Sequence, residues 1–156
     1  MAKSLTETEN VRKSIFISYS HADSDARAEL VKMMTPMAKH LGIEVWSEIQ
    51  IAPGAVWKDE IGKALDRAKV AVLMVSSDFL VSDFITNNEL VPILQVARNH
   101  GLKVLWIYLR PCGVRYTDLA DFQAAHDIKT PLSKLSKNRE QVVLEICEKV
   151  IDACRS

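Results

Sequence analysis

Glu89 is the acidic side chain whose surroundings in this sequence most suggest a chemical role. It lies in the stretch FLVSDFITNNELVPIL, between two apolar segments and after several residues that form helices poorly. A single carboxylate held in a fixed place can act as preorganised negative charge for a centre that becomes positive during a reaction. The stretch therefore poses the question whether Glu89 starts a helix or serves chemistry.

A helix cap is the structural interpretation of Glu89. Thr86 and Glu89 have the S/T-x-x-E spacing of a capping box, in which the glutamate closes the first helical turn. Pro92 disfavours a helix capped by Thr86, because its ring would fall well inside the helix and clash with an upstream carbonyl. A start near Asn88 or Glu89 places Pro92 in or near the first turn, where proline is tolerated, and Glu89 at the helix entrance.

Other catalytic and binding motifs are missing from the sequence. There are only five glycines, and neither GxGxxG nor GxxxxGK[ST] occurs, which disfavours Rossmann dehydrogenases and P-loop nucleotidases. Ser76 and Ser77 have no histidine nearby in sequence, so we expect them to cap a helix or turn rather than act as nucleophiles. No metal site is expected, because the four histidines share no metal-ligand spacing: His21, His40, His100 and His126.

Composition and charge indicate one globular domain. The 156 residues carry 20 basic and 20 acidic side chains, so the net charge of zero disfavours a nucleic-acid binder and weakly favours self-association. The three cysteines form no CxxC pair, which favours a reducing cytoplasm. Residues 1–13 form a polar leader without a signal peptide's apolar core, and no apolar run approaches the ~20 residues of a membrane span.

Buried strands and amphipathic helices alternate along the chain. Short continuous apolar runs, typical of a parallel sheet covered on both faces, predict four strands: Ser14–Ser18, Val45–Trp46, Val70–Val75 and Val104–Leu109. A short fifth strand is expected around Asp127–Lys129.

Apolar stripes at helical spacing predict four helices. They run through Leu30 to Leu41, Trp57 to Ala68, Leu90 to Ala97 and Val142 to Ile151. Pro36 is expected to kink or break the first, Asp23 to cap its start, and Asn138 with Gln141 to form a capping box for the last.

The alternation predicts an α/β fold with a doubly wound parallel sheet and helices on both faces. Ligands in such folds bind at the carboxyl ends of the strands. Three segments meet there: Tyr19–Asp23 after the first strand, Ser47–Val56 after the second and Ser76–Glu89 after the third.

Four motifs in this order resemble those of TIR (Toll/interleukin-1 receptor) domains, over residues 14–151. They are IFISYSHAD from Ile15, VWSEIQIAPGAVW from Val45, AVLMVS from Ala71 followed by Phe79-Leu80, and Glu89-Leu90. Asp121–Gln123 and Pro131–Leu132 are similar to bacterial members. The resemblance implies a flavodoxin-like, three-layer fold with a five-stranded parallel sheet, within residues 14–156, alone or as one part of a longer multidomain effector.

The resemblance also implies an activity. Many bacterial members cleave NAD+ at the nicotinamide–ribose bond with a glutamate in a WxxxE motif, and Glu89 lies at that position in ITNNE, with Ile85 in place of the tryptophan and Phe84 beside it. One carboxylate could suffice, because nicotinamide leaves NAD+ as a neutral base and needs no general acid, unlike the alcohol leaving group of ordinary glycosides. NAD+ would be substrate, with no cofactor.

Substrate-lining and assembly residues are implied in the same way. Tyr19, Ser20, Trp46, Ser47, Phe84 and Ile85 match positions around the nucleotide, and Glu48 could take the place of an acidic residue that relatives carry at Ser47. Ala52, Pro53 and Gly54 match the BB loop, which docks on other TIR domains in homo-oligomers or filaments. The alternative is a non-catalytic adaptor that acts by TIR–TIR association alone.

Overall fold

Five parallel strands form one sheet in the computed structural model, which describes residues 13–47, 57–82 and 90–156, with only the backbone for 57–60. The strands are β1 (Ser14–Ser18), β2 (Val45–Trp46), β3 (Ala68–Val75), β4 (Lys103–Tyr108) and β5 (Gln123–Ala124). The helices are α1 (Ser24–Leu41), α2 (Trp57–Arg67), α3 (Ser77–Leu80), α4 (Leu90–Asn99) and α5 (Arg139–Arg155). The strand order is β2-β1-β3-β4-β5, which confirms the predicted doubly wound α/β fold.

Helices cover both faces of the sheet, which explains the continuous apolar runs of its strands. Successive residues of β1 point to opposite faces, so Phe16 packs with α2 and α4, whereas Ile15 and Ile17 pack with α1 and α5. We call these two sides the α2/α4 face and the α1/α5 face. All five residues of β1 are buried, as a strand between two helical layers requires.

The predicted fifth strand at Asp127–Lys129 is wrong. The fifth strand is Gln123–Ala124, which pairs in parallel with β4. It has two residues, and neither is fully buried, so no apolar run marks it in the sequence. Trp106 fixes its position, because the indole Nε1 donates a hydrogen bond to the carbonyl of Phe122 at 2.8 Å.

Of the kink or break predicted at Pro36, the break does not occur, because α1 continues through Pro36 to Leu41. Pro36 is exposed and removes one backbone hydrogen bond, while Leu30, Met34 and Ala38 remain buried in the core along the same helix. The helix ends at Gly42, whose φ of 71° suits a residue without a Cβ.

The capping box expected at the start of α5 does not form. Asn138 holds the N-cap position but its side chain makes no capping hydrogen bond, and Gln141 donates instead to Glu145 at 3.0 Å. The buried face of α5 is confirmed, with Val143, Ile146 and other predicted residues in the core. Across the described ranges, no helix has the length and apolar character needed to cross a membrane.

Candidate active site

The carboxyl ends of β2, β1 and β3 lie side by side at one edge of the sheet. Phe16 of β1 pairs with Trp46 of β2, and Ser18 pairs with Leu73 of β3. Because neighbouring strands are about 4.8 Å apart, the residues that follow them form one continuous surface. The structure thereby brings the predicted pairs Tyr19–Ser20 and Trp46–Ser47 to adjacent strand ends.

Tyr19 and Ser20 lead into a tight turn after β1. The hydroxyl of Ser20 accepts a hydrogen bond from the amide of Ala22 at 3.3 Å, and the carbonyl of Ser20 accepts one from the amide of Asp23 at 2.8 Å. Tyr19 is half-buried toward the α1/α5 face, where the guanidinium carbon of Arg27 lies 5.1 Å from its ring centroid. This cation–π contact holds the tyrosine ring against α1.

Trp46 and Ser47 close the end of β2. The Trp46 ring is half-buried on the α2/α4 face, tilted by 53° against Phe16 with 6.0 Å between ring centroids. Ser47 is buried, with 7% of its surface exposed. Tyr19 and Trp46 therefore pack toward opposite faces of the sheet, although they stand at adjacent strand ends.

The predicted catalytic and assembly residues lie outside the described residues. These are Glu89, Phe84 and Ile85, within 83–89, and Glu48, Ala52, Pro53 and Gly54, within 48–56. The predicted helix start near Glu89 and the cleft that it would share with Tyr19 and Trp46 remain predictions for the same reason. What the structure does describe is Leu90, bonded to Glu89, which is buried on the α2/α4 face at the start of the described part of α4.

Four polar side chains form a hydrogen-bonded network beside these strand ends, which we call the Asp23 network. Asp23 accepts hydrogen bonds from Arg110 Nε at 3.0 Å and Nη2 at 2.7 Å on Oδ1, and from the Ser76 hydroxyl at 2.5 Å on Oδ2. Arg110 Nη2 also donates to Asp78 Oδ2 at 2.7 Å. The Asp23 network joins the segments that follow β1, β3 and β4.

Burial and charge pairing define the electrostatics of the Asp23 network. The Asp23 side chain is 4% exposed, whereas that of Arg110 is 40% exposed and that of Asp78 is 49% exposed. The hydrogen bond to Asp78 raises the pKa of the Arg110 guanidinium, and the one to Asp23 adds to this against the opposing effect of burial. The Asp23 network is therefore charged, with Asp23 and Ser76 buried and Arg110 and Asp78 partly exposed.

Sequence reasoning singled out Asp23 and Ser76 as capping residues but did not predict the Asp23 network. Ser76 caps α3 as predicted, since its hydroxyl accepts a hydrogen bond from the amide of Phe79 at 3.2 Å. Asp23 holds the N-cap position of α1, but its side chain makes no capping hydrogen bond and binds Arg110 and Ser76 instead. Arg110 was missed, although it follows the carboxyl end of a buried strand, where functional residues collect in this kind of sheet.

A cavity of about 410 Å³ lies next to the Asp23 network. Asp23, Asp78 and Arg110 of the network line it, together with Glu29 and Arg139. Arg139 Nη2 is paired with Glu29 at 2.7 Å, so both guanidinium groups in the wall already have carboxylate partners. None of the described residues predicted to line the substrate pocket borders this cavity: Tyr19, Ser20, Trp46 and Ser47. In the described part of the chain, no His, Cys, Asp and Glu side chains cluster in a way that could hold a metal ion.

Comparison with known proteins gives a family. The model of the TIR domain family matches residues 15–143. The uncharacterized protein y4lF of Sinorhizobium fredii is 25% identical over 140 residues, which are 90% of this chain and 43% of that protein. This chain thus spans less than half the length of that relative.

Solved structures agree on the fold. The TIR domain of the Toll-related receptor TRR-2 from Hydra magnipapillata aligns over 91% of this chain and 98% of its own, with 19% identity and a TM-score of 0.53. The RPS4 and RRS1 TIR domain heterodimer aligns over 92% of this chain and 100% of its own, with 15% identity and a TM-score of 0.61. Since the family model covers most of the sequence and the fold agrees, this chain belongs to the TIR domain family.

Proposed function

We propose that this TIR domain cleaves NAD+ at the nicotinamide–ribose bond, as a glycohydrolase or cyclase, with Glu89 as the catalytic residue. The observation that carries the proposal is the place of Glu89 in a chain of this family. It follows β3 in sequence and is bonded to Leu90, which is buried at the start of the described part of α4. β3 ends at the carboxyl edge of the sheet, where ligands of such folds bind.

A single carboxylate meets the demands of this reaction. As the C1′–N bond breaks, its electron pair moves to the pyridinium nitrogen, and nicotinamide leaves as a neutral base. Water then attacks C1′, a proton is released and ADP-ribose forms; in the cyclase, an adenine nitrogen takes the place of water. The carboxylate of Glu89 stabilises the positive charge that develops on the ribose. NAD+ is the substrate, and the reaction requires no cofactor.

The substrate pocket in this proposal is built from three strand ends. Tyr19 and Ser20 follow β1, and Trp46 with Ser47 closes β2. Phe84 and Ile85 complete it near Glu89, with Ile85 in place of the family's tryptophan.

Activity in this proposal depends on assembly with other TIR domains. One solved relative is a heterodimer of two TIR domains, which is consistent with such association. Ala52, Pro53 and Gly54 would dock on a neighbouring subunit, in a homo-oligomer or filament. The setting we propose is the bacterial cytoplasm, in defence against phage or in signalling, with no membrane or nucleic acid as direct partner.

Nicotinamide release from NAD+ tests the proposed activity. The purified chain is assayed as prepared and when fused to a tag that forces it to oligomerise, and the nucleotide product is identified by mass spectrometry. We expect release in the oligomer, with ADP-ribose or a cyclic isomer as product. An oligomer that leaves NAD+ intact overturns the proposal.

A non-catalytic adaptor is the second candidate, and Ile85 in place of the tryptophan favours it. It predicts association that depends on concentration, without NAD+ turnover in any assembly. Sedimentation of the same samples used for the NAD+ assay separates the two candidates.

A further inference from the structure

The Asp23 network, formed by Asp23, Ser76, Asp78 and Arg110, spans three strand ends at one edge of the sheet. Arg110 follows β4 and Asp23 follows β1, while β3 lies between these two strands. Ser76 stands at the end of β3 and donates to the carboxylate that Arg110 holds from the other side. One buried carboxylate therefore ties together three neighbouring segments.

This arrangement is a costly way to hold a fold together. Asp23 has lost almost all contact with water, and removing a carboxylate from water is offset only when it is well paired. Apolar side chains of similar volume often stabilise a protein as well as a buried ion pair does. What charged groups add is a defined geometry, since Arg110 donates two hydrogen bonds to the same carboxylate oxygen.

The geometry fixed by Asp23 is that of the turn after β1. The amide of Asp23 donates to the carbonyl of Ser20, and the hydroxyl of Ser20 accepts from the amide of Ala22. With its side chain held by Arg110 and Ser76, Asp23 anchors the far end of this turn. Tyr19 and Ser20, at the near end, are the residues that we propose line the substrate pocket.

We propose that Asp23 and Arg110 are positioning residues for substrate binding, which hold the turn carrying Tyr19 and Ser20 in its binding-competent shape. This inference rests on the proposed function for its consequence in NAD+ binding. The anchoring of the turn is inferred from the hydrogen bonds of the Asp23 network alone.

The chain offers a matched control in the pair of Glu29 and Arg139. It is also an arginine–carboxylate pair, with contacts of 2.7 Å from Nη2 and 3.1 Å from Nε, and it borders the same cavity. It joins α1 to α5, and Arg139 also donates to the carbonyl of Leu132 at 2.7 Å, so the hydrogen bonds described for this pair lie away from the turn and the end of β3. A variant at Glu29 therefore shows the effect of losing a partly exposed ion pair while the contacts that hold Asp23 remain.

The test compares Asp23→Asn and Arg110→Lys with Glu29→Gln, in the assembled protein and well below the melting temperature of each variant. Asp23→Asn keeps the side-chain volume but removes the charge, and Arg110→Lys keeps the charge but cannot bind two carboxylates as a planar fork. We expect the KM for NAD+ to rise at least about fivefold in both, with kcat within about twofold of the parent, as loss of binding alone predicts. Glu29→Gln should leave both constants within about twofold.

Hydrogen exchange of the Ala22 and Asp23 amides supplies a readout that does not depend on activity. Both amides should exchange at least about tenfold faster in Asp23→Asn than in Glu29→Gln, because the turn has lost its anchor. The proposal is overturned if the KM or the exchange rates of Asp23→Asn and Arg110→Lys match those of the control. If the parent protein shows no NAD+ turnover, the proposed function fails, and hydrogen exchange alone decides whether the Asp23 network anchors the turn.

Discussion

Oδ1 of Asp23 accepts two hydrogen bonds from Arg110, a residue 87 positions later in the chain, at 3.0 Å from Nε and 2.7 Å from Nη2. The pair joins the ends of β1 and β4, which are not neighbours in the sheet, and it passes beside Ser76 at the end of the intervening β3. The contact is therefore a long-range tie across the edge of the sheet where the proposed substrate binds.

Truncation of Asp23 should destabilise the protein more than truncation of Glu29. Asp23→Ala removes the acceptor of the buried Ser76 hydroxyl and leaves Arg110 with Asp78 alone, which should lower the free energy of unfolding by about 2–3 kcal/mol. Glu29→Ala removes a more exposed pair and should cost about 1 kcal/mol or less. Urea denaturation measures both. Equal losses of unfolding free energy in the two variants would mean that the Asp23 network stabilises the fold no more than the Glu29–Arg139 pair does.

Acidification should weaken the fold through His126. Its Nε2 accepts a hydrogen bond from the Tyr108 amide at 3.0 Å, so the neutral imidazole is the form that fits the folded protein. Burial lowers the pKa of His126 from its ordinary value of 6.5, while Asp127 opposes and Lys149 adds to this effect. Between the lowered pKa and 6.5, the unfolded chain binds a proton that the folded chain does not, so stability falls as the pH drops through this window.

Thermal melts between about pH 7.5 and about pH 5.5 test this, since the range spans the ordinary pKa of histidine. Loss of the hydrogen bond at about 1 kcal/mol should lower the Tm by roughly 2–4 °C. His126→Gln, whose side-chain carbonyl can still accept a hydrogen bond, should lose this part of the pH dependence, whereas a change at the exposed His40 should retain it. A His126→Gln curve parallel to the parent's would refute the assignment to His126.

Cys147 should be the least reactive of the three cysteines. It is completely buried in α5, and burial raises the pKa of its thiol to about 12, so almost no thiolate forms near neutral pH. Cys112 and Cys154 are half-buried. Brief maleimide labelling of the native protein, followed by peptide mass spectrometry, should modify Cys147 at least about tenfold more slowly than the other two. Comparable labelling of all three would show that α5 opens readily.

Strands with two covered faces are predictable from sequence, as β1 and β3 demonstrate. Ser14–Ser18 was placed to the residue, because an unbroken apolar run between polar segments allows few other interpretations. The two-residue β5 was misplaced, since a hydrogen bond from the Trp106 indole to Phe122, rather than local composition, determines where it pairs. The break predicted at Pro36 failed for a similar reason: core packing on both sides of the proline outweighed one lost backbone hydrogen bond.

The candidate site shows the same division. The positions of Tyr19, Ser20, Trp46 and Ser47 at adjacent strand ends follow from the topology, and the topology follows from the alternation of strands and helices. The opposite packing directions of Tyr19 and Trp46 do not follow from sequence, because they depend on the register of β1 with β2. The hydrogen bonds between Asp23 and Arg110 join the segments after β1 and β4, and no local sequence pattern predicts them.

The role of Glu89 is tested most directly by replacing its charge while keeping its shape. Glu89→Gln is compared with the parent and with Glu140→Gln, a change at an exposed glutamate of α5, as forced oligomers with NAD+. Nicotinamide release should fall at least about 100-fold in Glu89→Gln, as expected when a preorganised charge at the reacting centre is removed, and stay at the parental rate in Glu140→Gln. Release by folded Glu89→Gln at the parental rate would contradict the assignment of Glu89 as the catalytic residue.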